Sequence, residues 1–293
     1  VHTRSSEYRS FHLSAAMCLQ HRRDVLSELQ STLTQGKKVL CIATQVIEAG
    51  VDISFGAVLR LTAGMDSIVQ AAGRCNRNGE SETPCPVYAV NCTDEKLGML
   101  RDIQRGKNAA LALMNAFGAS PERFGSSLFS DASIQYYYSV LYRDMAAGEQ
   151  DYYIPDQKAT LLDLMALNKK YADDRCADAS FFFLRQAFKT AGQYFSVFDE
   201  DTTDILVPYG DGRQLVAELC SERCQYDVSC RAAVLKELHA YSVSIYQHQK
   251  KQLEQAQALV PVCGGCALVL AEGFYDAEAG LKAEQNSLGF WEV

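Results

Sequence analysis

The stretch "CIATQVIEAGVDISFGAVLRLTAGMDSIVQAAGRCNRNGE", residues 41–80, decides the fold because strand and helix signals alternate along it. The short apolar run at 37–44 predicts a buried parallel strand, similar short runs predict further strands, and amphipathic segments predict helices. The expected strands span 37–44, 56–62 and 86–91, and the expected helices span 17–33 and 67–77. This alternation is typical of an α/β fold built on a parallel sheet.

The rest of the chain divides by its pattern. From about residue 95 the sequence becomes mainly helical, and after about residue 176 it mixes strand, turn and helix signals. We therefore expect three parts: an α/β lobe over 1–94, a helical connector over 95–175, and a small mixed α/β domain over 176–293.

Charge is distributed unevenly along the 293 residues. The net charge is −8, yet residues 1–110 hold 13 Lys and Arg against 11 Asp and Glu, whereas residues 111–293 hold 15 against 25. A nucleic-acid backbone requires local rather than overall positive charge. The N-terminal part can supply that charge, so the acidic total does not exclude a nucleic-acid partner.

The cysteines and the apolar runs indicate the compartment. No run approaches the ~18 apolar residues of a membrane helix, and no secretory leader is visible. The 11 cysteines are an odd number, and most stand singly in apolar settings, as reduced thiols do in the cytosol. We therefore expect a cytoplasmic protein without a membrane partner.

Two cysteine groups leave a metal site open as an alternative. Cys263 and Cys266 form a C-x-x-C, and Cys220, Cys224 and Cys230 form a looser group. The x3 and x5 spacings of the looser group, on a predicted helix, are poor ligand geometry, so we expect a packing role and no metal.

The predicted helix 67–77 carries three polar donors. Gln70, Arg74 and Arg77 stand at i, i+4 and i+7, so they are expected on one helix face. The planar guanidinium group of arginine suits phosphate oxygens. The alternative is a solvated basic face whose arginines pair with surface acids.

The loop before this helix favours a ligand site. Thr44 ends a predicted strand, on the side of a parallel sheet where ligands bind. Gly50 permits a close backbone approach, and Asp52 is an acceptor of the kind that holds a ribose hydroxyl.

These segments resemble the motifs of a known family. "ATQVIEAGVDI" is similar to motif V and "QAAGRCNRNG" to motif VI of superfamily-two helicases, and "FHLSAAMCLQHRRDVL" and "DSIVQAAGRCNRNGE" resemble one branch, the large helicase-nuclease of type I CRISPR systems. "ILVPYGDG", "LHAYSVSI" and "EGFYDAEAGL" resemble its accessory C-terminal domain more weakly. The resemblance implies that 1–94 is a second RecA-like lobe, truncated at its start, and that 176–293 is the accessory domain.

The resemblance also implies residue roles. Arg74 and Arg77 would be arginine fingers at the ATP γ-phosphate, and Gln70 would contact the same phosphate or its attacking water. Gly50, Asp52 and Gly73 would lie at the nucleotide side. Thr44 and Arg22 or Arg23 would contact the backbone of single-stranded DNA.

The family's other parts are expected outside this sequence. No G-x-x-x-x-G-K-[ST] occurs, and none of the five histidines belongs to a His-Asp dipeptide. We therefore expect ATP and Mg²⁺ to be held mainly by a first helicase lobe, and the isolated chain to be inactive as an ATPase. The implied partners are single-stranded DNA, that first lobe, a nuclease domain and an RNA-guided surveillance complex. The alternative is a non-catalytic module that docks this complex or complements a separate ATPase lobe.

Overall fold

The chain is a mixed α/β protein. The computed structural model describes residues 7–47, 50–95, 100–143, 151–166, 168, 186–195 and 202–282. Its helices are α1 Leu19–Thr34, α2 Met65–Ala72, α3 Arg101–Ala119, α4 Asp131–Arg143, α5 Leu161–Met165, α6 Phe188–Tyr194, α7 Gly212–Leu219, α8 Glu222–Tyr226, α9 Val228–Leu238 and α10 Gln247–Gln255. Its strands are β1 Arg9–Leu13, β2 Val39–Ala43, β3 Val58–Leu61, β4 Val87–Val90, β5 Tyr153–Ile154, β6 Ala159–Thr160, β7 Thr202–Leu206, β8 Ser242–Tyr246, β9 Leu259–Val262, β10 Ala267–Leu270, β11 Tyr275–Asp276 and β12 Gly280–Leu281. The predicted α/β class is confirmed.

The chain forms two compact units. One unit contains Val1–Leu61, Asp66–Leu97 and Asp201–Val293, and the other contains Thr62–Met65 and Gly98–Glu200. The first unit therefore joins the N-terminal α/β region to the C-terminal region. The division into a lobe, a connector and an accessory domain stays a prediction.

Parallel strand pairs form the N-terminal part of the first unit. β1 pairs with β2 from Arg9 and Val39 to Leu13 and Ala43, and β3 pairs with β4 in the same sense. Within the described residues these are two separate pairs. The parallel orientation inferred from the sequence is therefore present, in short pairs.

The expectation of a buried strand at 37–44 is wrong for one of its two faces. Leu40 and Ile42 of β2 are 37% and 49% exposed. The cluster of Phe11, Leu29 and Ile53 packs α1 against one side of the β1–β2 pair. A two-stranded pair with a helix on one side buries only that side, so the alternate side chains of β2 face outward.

A four-stranded mixed sheet forms the C-terminal part of the first unit. Its order is β8–β7–β10–β9, with β7 and β10 parallel and the outer pairs antiparallel. Ile205, Val243, Ile245 and Leu270 form its core, and the same cluster includes Cys18, which precedes α1. The start of α1 is therefore part of the core of the C-terminal sheet.

The second unit is mainly helical. Ala109, Ala110 and Leu113 of α3 are buried, and α3 packs against α4. A Cβ at Gly106 would lie 3.1 Å from the Cα of Gly64, so a glycine permits close approach of the two backbones. The helical character expected for much of 95–175 is confirmed over α3 and α4.

Candidate functional site

The helix that carries Gln70 ends earlier than predicted. α2 ends at Ala72, and the predicted extension to 77 is wrong. The N–H of Arg74 turns back to the carbonyl of Ala71 at 3.0 Å, while the carbonyl of Arg74 and the N–H of Asn76 bond to the backbone of Phe55, both at 2.9 Å. These two backbone groups are then unavailable to continue the helix, and Asn76 adopts a positive φ of 48°.

The predicted alignment of three donors on one helix face therefore does not hold. Gln70 is exposed on α2, whereas Arg74 and Arg77 lie beyond the helix end. Arg74 is 8% exposed and Arg77 is exposed. What the two arginines share is the segment that they contact, which is the turn at 50–52.

Arg74 holds the turn from the inside. Its Nη1 donates a hydrogen bond to the backbone carbonyl of Val51. A buried hydrogen bond from a charged donor contributes about 1.5–3 kcal/mol, roughly twice the value of a neutral one. Arg74 therefore links the segment after α2 to the segment after β2.

Arg77 pairs with the same turn at the surface. Its Nε lies 2.9 Å from Oδ1 of Asp52, with 42% of the Arg77 side chain and 79% of the Asp52 side chain exposed. Exposed ion pairs of this kind contribute roughly 0–1 kcal/mol. The alternative from the sequence, an arginine paired with a surface acid, thus describes Arg77 in this structure. An anionic ligand of Arg77 would compete with the Asp52 carboxylate, which binds Arg77 weakly. We call residues 50–52 with Arg74 and Arg77 the arginine turn.

The glycine of this turn is explained by its backbone. Gly50 has a φ of 73°, in the left-handed region, and nothing lies within 4 Å of an ideal Cβ placed on it. The conformation therefore accounts for glycine here, rather than a close neighbour. Gly73, which the sequence assigns to the same site, is exposed, and its N–H closes α2 on the carbonyl of Val69 at 2.9 Å.

The predicted DNA contacts lie on other elements. Thr44 is exposed directly after β2, and its N–H donates to the carbonyl of Leu13 at the end of β1 at 3.0 Å. Arg22 is half-buried and Arg23 is exposed, both in the first two turns of α1. Thr44 thus lies where the parallel strands β1 and β2 both end.

A polar cluster at the start of α1 was not predicted from the sequence. His21 of α1 is 1% exposed, and its Nδ1 lies 2.9 Å from the hydroxyl oxygen of Tyr275. Its ring stacks on Tyr209 with centroids 4.3 Å apart and planes 17° apart. The N–H of Cys18 donates to Tyr275 at 3.0 Å, and the hydroxyl of Tyr209 donates to Asp24 at 3.0 Å. We call these five residues the α1 anchor.

The α1 anchor joins distant parts of the sequence. Tyr209 lies in "ILVPYGDG" and Tyr275 in "EGFYDAEAGL", two of the C-terminal segments that resemble the accessory domain. Burial is the largest cause that lowers the pKa of His21 below its ordinary value of 6.5. Burial likewise raises the pKa of Tyr209 and of Tyr275. In the sequence, the feature that could have indicated this cluster is the tyrosine in each of these two short segments.

The free cysteines lie in different settings, from the buried Cys18 to the exposed Cys220 and Cys266. Within the described residues, no group of three His, Cys, Asp or Glu side chains is placed to hold a metal ion. Cys224 and Cys230 form a disulfide at the start of α8 and α9, and burial raises the pKa of Cys41 to about 11. A thiol with so high a pKa is a poor nucleophile near neutral pH. No helix among the described residues has the length and apolar character that crossing a membrane requires.

Comparisons with known proteins bear on the N-terminal region. Residues 2–80 match the family described as CRISPR-associated nuclease/helicase Cas3, C-terminal. A CRISPR-associated nuclease/helicase Cas3 of Haloferax volcanii is 46% identical over 82 residues. Residues 2–80 are thus similar to the C-terminal part of Cas3. The resemblance to the CRISPR helicase-nuclease family is therefore confirmed.

The matches cover only parts of the proteins compared. The aligned residues are 27% of this chain and 8% of the Haloferax Cas3. Among solved structures, T. fusca Cas3-ADP is 12% identical over 89% of this chain and 32% of that one, with a TM-score of 0.46. T. fusca Cas3-AMPPNP is 12% identical over 86% and 30%, with a TM-score of 0.48. Likeness at this level is too slight to assign roles to residues.

Proposed function

We propose that this chain provides the second RecA-like lobe and the accessory C-terminal domain of an ATP-dependent DNA helicase that translocates on single-stranded DNA in CRISPR interference. The arginine turn would act on the terminal phosphate of ATP. The observation that carries this proposal is the position of Arg77: its guanidinium is at the surface, next to the motif-V-like turn, and its partner there is the exposed carboxylate of Asp52.

The ion pair is suited to exchange. Because a surface pair contributes roughly 0–1 kcal/mol, a phosphate group that develops charge can replace the carboxylate at small cost. A guanidinium group also offers paired donors that match phosphate oxygens. Arginine fingers stabilise the transition state of phosphoryl transfer in this manner. Arg77 is therefore the proposed finger.

Arg74 is proposed to support the finger. It is buried and donates to the carbonyl of Val51, so its charge fixes the position of the turn that Arg77 contacts. Gln70 is exposed on α2 and is retained as the residue that would contact the phosphate or its water. ATP and Mg²⁺ would be held mainly by a first lobe, and Gly50, Asp52 and Gly73 would border the nucleotide.

DNA would bind through the strand ends and α1. Thr44 is exposed where β1 and β2 both end, and Arg23 is exposed on α1. Backbone contacts of this type give binding that depends on salt and little on sequence. The proposed partners are single-stranded DNA, the first lobe and nuclease domain of the helicase, and the RNA-guided surveillance complex, in the cytoplasm.

The test is ATP turnover by this chain combined with a separately supplied ATPase lobe that carries the Walker A motif. Arg77→Ala should lower DNA-stimulated turnover by about 10³-fold, the smaller end of the range for arginine fingers. A matched control is Arg213→Ala, which removes another exposed arginine and should leave turnover within a few fold. Unchanged turnover in Arg77→Ala would exclude the finger role.

The alternative class is a non-catalytic module. In that case the chain would bind the surveillance complex or an ATPase lobe without contributing a catalytic arginine. A gel shift with single-stranded DNA, with and without the supplied lobe, separates the two. Binding to the lobe together with normal turnover in Arg77→Ala would favour the module.

A further inference from the structure

The α1 anchor connects the C-terminal region to the helix that carries Arg22 and Arg23. We propose that Tyr275 and Tyr209 are positioning residues for DNA binding: through Cys18, His21 and Asp24 they fix the first two turns of α1. This inference rests on the proposed function, in which the two arginines contact the backbone of single-stranded DNA.

The α1 anchor holds the start of the helix. The hydroxyl of Tyr275 accepts the N–H of Cys18 at 3.0 Å, and Cys18 is the N-cap residue of α1. The first N–H groups of a helix have no partner within it, so an outside acceptor stabilises this end. The Cys18 side chain shows no capping hydrogen bond. The acceptor therefore comes from the C-terminal region.

The α1 anchor also fixes the rotation of α1 about its axis. His21 and Asp24 are three residues apart, so they lie on one side of α1 and meet Tyr275 and Tyr209 there. Successive residues of a helix are about 100° apart. Holding His21 and Asp24 therefore sets the directions of the two arginines between them.

The stacked rings leave the His21 side chain little freedom to move. His21 is 1% exposed and lies flat against Tyr209, with ring centroids 4.3 Å apart. The hydroxyl of Tyr275 can donate its proton to Nδ1 while it accepts the N–H of Cys18. Burial, which lowers the pKa of His21, favours the neutral ring that accepts such a bond.

A neighbouring hairpin keeps Tyr275 in place. The N–H of Leu281 in β12 donates to the carbonyl of Ala16 at 2.8 Å. A Cβ on Gly280, which has a φ of 85°, would lie 2.4 Å from that same oxygen. The β11–β12 hairpin therefore rests directly on the residues before α1. Asp276 of this hairpin accepts two backbone N–H groups and the Lys282 ammonium.

The experiment measures binding of a fluorescein-labelled oligodeoxythymidine to the full chain by anisotropy, over a series of salt concentrations. Tyr275→Phe keeps the ring and removes the hydroxyl. We expect weaker binding, and a slope of log K against log salt that is smaller by about 0.7 for each phosphate that the variant no longer neutralises. Tyr226→Phe, which changes an 86% exposed tyrosine, is the matched control and should bind like the parent.

Making Tyr275→Phe in a second variant distinguishes a positioning role from partial unfolding of the chain. In a chain that already carries Arg22→Ala and Arg23→Ala, Tyr275→Phe should weaken binding no further, because nothing is left to position. A variant that merely unfolds in part would lose active protein in both backgrounds and keep the salt slope. Hydrogen exchange should also be faster at the Cys18 amide in Tyr275→Phe.

The outcomes are distinguishable. If the arginine variants weaken binding but Tyr275→Phe keeps the parental slope and Cys18 exchange rate, the positioning role is wrong and the proposed DNA contact stands. If the arginine variants bind like the parent, or the chain does not bind the oligonucleotide, both the DNA contact and the positioning role fail.

Discussion

The arginine turn and the α1 anchor both join segments far apart in sequence, but they differ in how their polar groups are satisfied. In the turn, the Arg77–Asp52 pair is exposed and is joined by one hydrogen bond of 2.9 Å. In the anchor, His21 is buried between two tyrosines and hydrogen-bonded within the protein. A ligand can displace the exposed ion pair at a small cost in free energy. Breaking the buried hydrogen bonds of the anchor instead leaves polar groups without partners or exposes them to water. The turn is therefore suited to binding, and the anchor to holding a shape.

Gly280→Ala should have the largest effect on stability. It disturbs the packing that supports the α1 anchor. The new Cβ would meet the carbonyl of Ala16 at 2.4 Å, in a residue whose φ is 85°. Backbone strain and overpacking each cost about 1–3 kcal/mol, so we expect a loss of roughly 3 kcal/mol or more. Urea unfolding measures it. Gly273→Ala is the matched control, because its φ is 94° but no atom lies within 4 Å of its Cβ. Equal losses in both variants would show that the contact with Ala16 is unimportant.

Arg74→Ala tests whether the turn has a rigid inner part. The variant leaves the carbonyl of Val51 without its charged donor. We expect a loss of about 1.5–3 kcal/mol in unfolding free energy. Arg213→Ala is the control, since Arg213 also donates to a backbone carbonyl, that of Pro208, but is exposed. A loss no larger than that of the control would remove Arg74 from the turn's support.

The pH dependence of the unfolding free energy should show the contribution of the buried His21. Because the folded protein lowers its pKa below 6.5, the unfolded chain binds more protons as the pH falls through that value. The stability that His21 contributes is therefore fully present above pH 6.5 and decreases as the pH falls towards the lower pKa of the folded state. Urea unfolding between pH 7.5 and pH 5 of the parent and of His21→Gln should show a steeper decline in the parent.

The fold shifts the pKa of two other groups as well, and only His12 titrates within this pH range. His12 also has a pKa lowered, chiefly by burial and to a smaller extent by the charge of His21, so His21→Gln relieves part of that lowering and also flattens the profile of the variant. The pKa of Asp276 is lowered to about 2, chiefly by its hydrogen bond from Lys282, so its contribution is lost only below the ordinary value of 3.8. His248→Gln, which removes an exposed histidine of α10, is the control. Parallel profiles for the parent and His21→Gln would contradict the buried, neutral state of this ring.

Asp52→Ala should have the smallest effect. The pair that it breaks is exposed, and we expect the unfolding free energy to change by less than about 1 kcal/mol, and less at high salt. Measuring unfolding at low and at high salt checks this. A loss as large as that of Arg74→Ala would mean that the Arg77 pair is structural, and the contrast between turn and anchor would disappear.

Much of the fold was predictable because local patterns decide it. The apolar runs at 37–44, 56–62 and 86–91 correspond to β2, β3 and β4, and the amphipathic segment at 17–33 corresponds to α1. The end of α2 was not predictable in this way. The helical pattern continues to Arg77, but backbone bonds to Phe55 end the helix at Ala72, and Phe55 is distant in sequence.

The candidate site was predictable in membership but not in arrangement. Motif spelling pointed to Arg74, Arg77, Gly50 and Asp52, and the structure brings these together around the turn. The reason they meet is different from the one expected, because the arginines lie beyond the helix rather than on one of its faces. The anchor was missed because His21 and Tyr275 are 254 residues apart, and periodicity carries no information at that separation.

That separation has a consequence for biosynthesis. Tyr275 is made 257 residues after Cys18, so at 5–20 residues per second the amide of Cys18 waits about 13–50 s for its acceptor. During that interval α1 has its own hydrogen bonds and its contacts with β1 and β2. The hydrogen bond from the N–H of Cys18 to Tyr275 is still missing. A nascent chain that ended before the β11–β12 hairpin would therefore leave the ribosome with Arg22 and Arg23 on a helix whose first turn is still unsecured.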